Sequence, residues 1–255
     1  MRELEIEGQP SGLGWMPDGN LLVVSMKERL VLRQLESGSI VVHADLSQVG
    51  HGWLNDMVVD SSGFAYVGNF GFDSMAKEDP RPTDLYGVTA NGSVGVVASG
   101  LWFPNGLVMP TNKASLMVAE TFASRLSTFR IEPDGFLSHR HTWAQFGQPP
   151  RFGSFETVLA QLTVAPDGCC IDASGNVWVA DALGGRVLYV KEGGTILGEI
   201  TMPLGLNAFA CMLGGSDGKS LLIASAPDSQ ERNRVASREA ILFLTSVDIP
   251  ATRPI

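Results

Sequence analysis

The chain has 255 residues, 44% of them hydrophobic, 18% charged and 8% aromatic, and 27 acidic against 18 basic residues give a net charge of −9. A chain this long and apolar can bury a sizeable core, which excludes global disorder. Its acidic balance argues against phosphate-backbone binding, so no nucleic-acid partner is expected. No run of about 18 apolar residues occurs, so neither a membrane span nor a membrane partner is expected. The N-terminal MRELEIEGQP is too charged to read as a secretory leader. Three cysteines (Cys169, Cys170, Cys211) are too few for a disulfide framework, which fits a reducing, cytoplasmic setting.

High glycine and proline content (29 and 14) predicts many short strands. In chain order, RELEIE (2–7) reads as a strand. PSGLGWMPDGNLLVVS (10–25) reads as two strands about a D-G turn, followed by the pair ERLVLRQ (28–34) and SIVVHADL (39–46). The same pattern returns in LNDMVVDSSGFAYVGN (54–69), PNGLVMPTNKASLMVAE (104–120) and PDGCCIDASGNVWVAD (166–181), and more weakly in LNAFACMLGGSDGKSLLIAS (206–225). RLSTFRIE (125–132) adds a strand before another D-G turn, SFETVLAQL (154–162) reads as a short helical turn, and REAILFLTSVDIP (238–250) as one or two strands. Paired strands recurring every ~40–50 residues are the signature of a β-propeller. With the intervening strand pairs this predicts a single all-β domain over 1–255 with four strands per blade. A sixth blade would be assembled from both termini and would be incomplete.

Each copy places a polar residue at the start of its first strand: Ser11, Asn55, Asn105, Asp167 and Asn207. In a propeller the first strand lines the channel, so these residues converge on the axis. The second strand returns to the same end, bringing Ser25, Asn69, Glu120, Asp181 and Ser225 toward the rim. Taken singly, such residues are turn formers that cap their own backbone. Recurrence at one register argues for more, and a ring of oxygen donors suits a hard divalent cation. Other motifs carry less. Gly214-Gly215-Ser216-Asp217-Gly218 imitates a hydrolase elbow, but a strand follows where a helix is needed. His139 and His141 read as solvent-facing, and the neighbours Cys169 and Cys170 as pointing to opposite faces of one strand.

The stretches PSGLGWMPDGNLLVVS, WLNDMVVDSSGFAYVGNFGFD, LWFPNGLVMPTNKASLMVAETFASRLSTFRIEPDG and APDGCCIDASGNVWVADALGGRVLYV, taken in order, resemble the senescence-marker-protein (regucalcin), gluconolactonase and luciferin-regenerating-enzyme family. The resemblance implies a six-bladed propeller holding one divalent metal, calcium or zinc first, with manganese, magnesium or iron as alternatives. It implies a hydrolase that opens a sugar lactone by water attack on the carbonyl. It makes Asn105 and Asp167 metal ligands, Asp167 the base, and Asn55 a catalytic and substrate-contacting residue beside Asp56.

The sequence departs from the family in two places. The family's E-G-P-x-W or E-C-P-x-W motif, which supplies a ligand Glu, is missing, and the chain starts where members are finishing their first blade. Loss of that ligand predicts weaker metal binding, for which Glu120 at the rim would compensate in part. Trp53 stands where many members carry a substrate-contacting Arg, which favours a less polar lactone or a different subgroup. Two long segments, 145–162 with Arg151 as a substrate contact and 70–84 after Asn69, are expected to form lids or surface loops. The alternatives are a non-catalytic propeller binding metal or metabolite, inactive for want of the Glu, and a metal-free strictosidine-synthase-like propeller. An incomplete blade leaves an unpaired edge, so a monomer or weak homo-oligomer is expected.

Overall fold

The computed structural model describes residues 5–110 and 114–252. Successive antiparallel strands build one blade after another. The first blade is β1 (Pro10–Trp15), β2 (Leu21–Ser25), β3 (Leu30–Gln34) and β4 (Ile40–Asp45). The second is β5 (Leu54–Val59), β6 (Ala65–Asn69), β7 (Thr83–Val88) and β8 (Val94–Leu101). The third is β9 (Pro104–Val108), β10 (Ser115–Glu120), β11 (Arg125–Ile131) and β12 (Leu137–Gln145). A helical turn, α1 (Phe155–Leu159), precedes the fourth: β13 (Pro166–Ile171), β14 (Val177–Asp181), β15 (Arg186–Lys191) and β16 (Thr195–Thr201). The fifth has three strands: β17 (Asn207–Gly214), β18 (Ser220–Ala226) and, after α2 (Glu231–Arg234), β19 (Ile241–Ser246).

The arrangement is therefore five-bladed, which corrects the six-bladed expectation. The first blade is a complete four-stranded sheet, and the shortfall lies in the fifth. The C-terminal segment yields one strand, which pairs with the adjacent edge of β18 (Ile223 opposite Phe243) instead of founding a new sheet. Residues 5–9 form no strand, and the rest of the predicted RELEIE strand lies outside the described residues. Pairing with the nearest free edge satisfies a strand's backbone at small loop-closure cost.

The second strands (LLVVS, AYVGN, SLMVAE, VWVAD) are nearly continuous apolar runs because neighbouring blades cover both their faces. One cluster (Val24, Leu54, Val67, Tyr86) joins blades one and two, and another (Leu126, Cys169, Val179, Leu188) joins three and four. The innermost strands pack in the order β1, β5, β9, β13, β17, and β17 does not pack back on β1 to the same extent. Leu13 and Trp15 of β1 and Met212, Leu222, Leu242 and Leu244 of the fifth blade stay exposed on either side of that break. Leu13, Met212 and Leu222 line one cleft.

The glycines of the S-G, N-G and D-G pairs have a steric reason. A Cβ on Gly12 would stand 2.4 Å from the Met57 amide nitrogen, and one on Gly168 2.8 Å from Ala210 Cα. A Cβ on Gly106 would stand 2.4 Å from the Asp167 carbonyl oxygen and 2.8 Å from the Cys169 nitrogen. Inner strands of adjacent blades thus touch backbone to backbone. Gly106→Ala is expected to destabilise the protein by about 1–3 kcal/mol, as overpacking does. A denaturant melt reads this, and an unchanged midpoint would contradict the close approach.

Candidate functional site

The polar column converges, as the repeat register predicts. A cavity of about 500 Å³ at the channel mouth is lined by Ser11, Asn55, Asn105 and Asp167 from β1, β5, β9 and β13. Asn207 of β17 instead donates to the Pro227 carbonyl (3.2 Å). The column is held by cross-blade hydrogen bonds to the prolines that open β9 and β13. Asn55 Nδ2 donates to the Pro104 carbonyl (3.1 Å), and Thr121 Oγ1 to the Pro166 carbonyl (2.8 Å). Asn105 Nδ2 donates to Thr121 Oγ1 (3.3 Å). Proline has no N–H for the ladder but a free carbonyl, so it suits the first position of a strand tied to its neighbour.

Asp56 fills the place that glycine takes in three of the other copies (Gly12, Gly106, Gly168) and Ala208 in the fifth. Its carboxylate accepts from the Met57 amide (2.8 Å) and, across the blade boundary, from the Leu107 amide (3.3 Å). Burial, opposed by these two amides, pushes its carboxyl up to about 6. Burial and then the charge of Asp56 push Asp167 up to about 8, against hydrogen bonds from the Gly168 amide and the Asn105 side chain. Among the described residues no ion pair reaches either carboxylate. Two carboxylates are therefore held in the channel, near enough to repel and without a counter-charge.

The second-strand column does not share this site. Glu120 is fully buried, and its carboxylate accepts from Arg125 Nε (2.9 Å), Arg140 Nη2 (2.6 Å), Ser127 Oγ (2.5 Å) and the Trp102 amide (2.9 Å). Asp181 repeats the plan one blade on, with Arg186 Nε (3.2 Å) and the Ala165 amide (3.0 Å). Each carboxylate ties its hairpin to the loop that leads into the blade's first strand. Glu120 therefore does not line the cavity, and neither do Trp53 and Arg151. Trp53 packs on Phe70 (centroids 6.0 Å) beneath the Lys27 ammonium (5.0 Å). The Arg151 backbone is bound by Gln161 (2.9 and 3.0 Å).

Both long segments reach the cavity. Phe70, Ser74, Met75 and Lys77 come from one, and Phe155, Glu156, Leu159 and Leu162 from the other. Phe103, Thr121 and Phe122 also line it and went unmarked in the sequence, where phenylalanines beside strand ends cannot be told from core. The Gly214–Gly218 stretch is the turn between β17 and β18, and His139 and His141 are exposed. All three cysteines are buried and free, with Cys169 and Cys170 in different apolar clusters as opposite faces require. Among the described residues no helix is long and apolar enough to cross a membrane.

The donor set can be tested against the metal that the resemblance implies. No group of three or more His, Cys, Asp or Glu side chains suited to a metal occurs among the described residues. The available donors are carboxylate and amide oxygens, which suit a hard cation. The uncompensated pair Asp56 and Asp167 is an environment that a cation relieves. The residues fit a divalent ion, with few charged ligands.

Similarity to known proteins agrees with this architecture. The chain is 32% identical over 171 residues to Lactonase drp35 of Staphylococcus epidermidis strain RP62A, which is 66% of this chain and 44% of that protein. It thus spans less than half the length of that relative. Luciferin-regenerating enzyme superposes with a TM-score of 0.75 at 18% identity, covering 97% of this chain and 81% of that one. The calcium-binding protein regucalcin of Agrobacterium tumefaciens superposes at 0.74 with 18% identity, covering 96% and 78%. The profile of the SMP-30/gluconolactonase/LRE-like region matches residues 2–227, and the chain belongs to that family.

Proposed function

We propose that this chain is a hydrolase that opens lactone rings by attack of water on the carbonyl carbon. The observation that carries the reading is Asp167: a buried carboxylate at the cavity floor, in no ion pair among the described residues and poised by burial to exchange a proton near neutrality. Membership of the family and similarity to a lactonase support it.

Asp167 and Asn105 would hold a divalent cation, with Asn55 beside them. Such an ion supplies polarisation of the lactone carbonyl and a lowered pKa for bound water. Asp167 takes a proton from the attacking water as the new C–O bond forms. The Asn55 and Asn105 amides orient the water and the carbonyl by hydrogen bonding. When the ring C–O bond breaks, the proton passes from Asp167 to the departing alkoxide, leaving a hydroxy acid. Asp56 acts on Asp167 through charge and holds β5 to β9 through the Leu107 amide. A sugar lactone is the substrate that the family resemblance implies.

The alternative, a propeller that binds a metal or metabolite without turnover, is favoured by the lack of a third charged ligand among the described residues. Chelation followed by divalent add-back separates the two. Turnover that is lost with chelator and restored by calcium, zinc or manganese supports the hydrolase. Asn105→Ala is expected to lower metal affinity by at least about 10–100-fold, the cost of losing even an outer partner of a metal ligand. Metal binding by calorimetry with no turnover of any lactone would establish the alternative.

A further inference from the structure

Above its polar floor the cavity has one continuous hydrocarbon wall, with polar side chains (Gln9, Ser74, Ser229, Gln230, Arg232) elsewhere in its lining. That wall is Phe70, Phe103, Phe122, Phe155, Leu159 and Leu183, drawn from three blades and from α1. The rings form one aromatic cluster. Phe70 stacks on Phe103 (centroids 4.3 Å, 17°), Phe103 meets Phe122 (5.3 Å), and Phe122 meets Phe155 (5.5 Å). Leu183 is 53% exposed at the mouth, where burial does not require an apolar side chain. Of the charged lining groups, Lys77 and Glu156 pair with each other (3.3 Å), and Arg232 is the third. Phe103 adds an independent sign. Its φ is +57°, a left-handed backbone that is strained for a bulky side chain and that glycine would adopt freely. An aromatic ring is kept there against that strain, and the ring forms cavity wall.

We infer that the lactone taken by this cavity carries its bulk as hydrocarbon, an alkyl- or aryl-substituted ring, and not as the hydroxyls of a sugar lactone. The inference rests on the hydrolase reading above and names its substrate class. A ring seated with its carbonyl on Asn55, Asn105 and Asp167 points its substituents at phenylalanine faces. Sugar hydroxyls set against those phenylalanine faces would leave water without gaining partners, whereas an alkyl or aryl group buries apolar surface there. A volume of about 500 Å³ holds a substituted six-membered ring with room for its tail.

The test compares δ-decalactone with glucono-δ-lactone, the same ring size with a pentyl tail or with hydroxyls. The metal-loaded full chain should favour the alkyl lactone in kcat/KM by at least about 100-fold, the scale of discrimination that several methylenes or several unpaired hydroxyls produce. Leu183→Asn and Leu159→Asn, the first at an exposed position where folding is safe, should each narrow that preference by about tenfold. Equal or better turnover of glucono-δ-lactone, or a preference untouched by both substitutions, overturns the inference. Calorimetry with the non-hydrolysable lactams of the two skeletons separates it from the hydrolase reading. If neither lactone turns over, tighter binding of the alkyl lactam sustains the apolar site while the hydrolase reading fails. No preference between the lactams overturns both.

Discussion

Asp167→Asn is expected to lose lactone opening by about 10²–10⁴-fold, the usual contribution of a positioned general base, and at the same time to make the metal-free protein harder to unfold. The second half follows from linkage. The folded carboxyl is raised to about 8 by burial and by Asp56, from an ordinary value of 3.8. A raised carboxyl opposes folding wherever the unfolded chain would be ionised. The penalty is absent below about pH 4, grows as pH rises between the two values, and is complete above about pH 8. Asparagine carries no such charge. In chelator, the variant and the parent should melt together near pH 4, and the variant should melt higher at pH 8 by roughly 5–10 °C, as a few kcal/mol would give in a domain of this size. Added divalent ion should reverse the order, because it stabilises only the form that binds it. Full activity in the variant, or a melting advantage that ignores pH, would sink the assignment of Asp167.

Glu120→Leu is expected to destabilise the fold by about 3–5 kcal/mol, the effect of removing one partner from a buried charge cluster. Arg125 and Arg140 would then face each other without the carboxylate that both now contact (2.9 and 2.6 Å). Burial alone would raise the Glu120 carboxyl, but the hydrogen bond and charge of Arg125 and the charge of Arg140 outweigh it and hold it below its ordinary value. A lowered carboxylate stabilises the protein above its unfolded pKa, and that stability is lost as pH falls through the folded one. The gap between parent and variant should therefore be widest at neutral pH and close in acid, below the usual carboxylate range. Urea melts at pH 7 and pH 3 read the difference. A gap of the same size at both would show that Glu120 contributes by packing and not by charge.

The repeat was legible in the sequence because its causes are local. A turn glycine, two short apolar runs and a polar residue before the first run recur at one register, and Asn55, Asn105 and Asp167 meet at the cavity as that register predicts. The fate of Glu120 was not legible. Its place at the end of β10 is equivalent to that of Asn69 or Ser25, and only the strand register that sets it opposite Arg125 makes it a clamp. Arg151 drew attention by its place in a long loop and Trp53 by its place in a family motif, yet neither lines the cavity.

Blade count and cavity chemistry belong to the tertiary structure alone. REAILFLTSVDIP has strand character in any setting, and the free edge of β18 decides which sheet it joins. Phe70, Phe103, Phe122 and Phe155 are far apart in the chain and look like core residues one by one. The sequence determined which segments become strands and which polar residues begin them, since turn chemistry and alternation act over a few residues. The five-bladed arrangement, the mutual repulsion of Asp56 and Asp167 and the aromatic wall depend on contacts between blades, which no local pattern encodes.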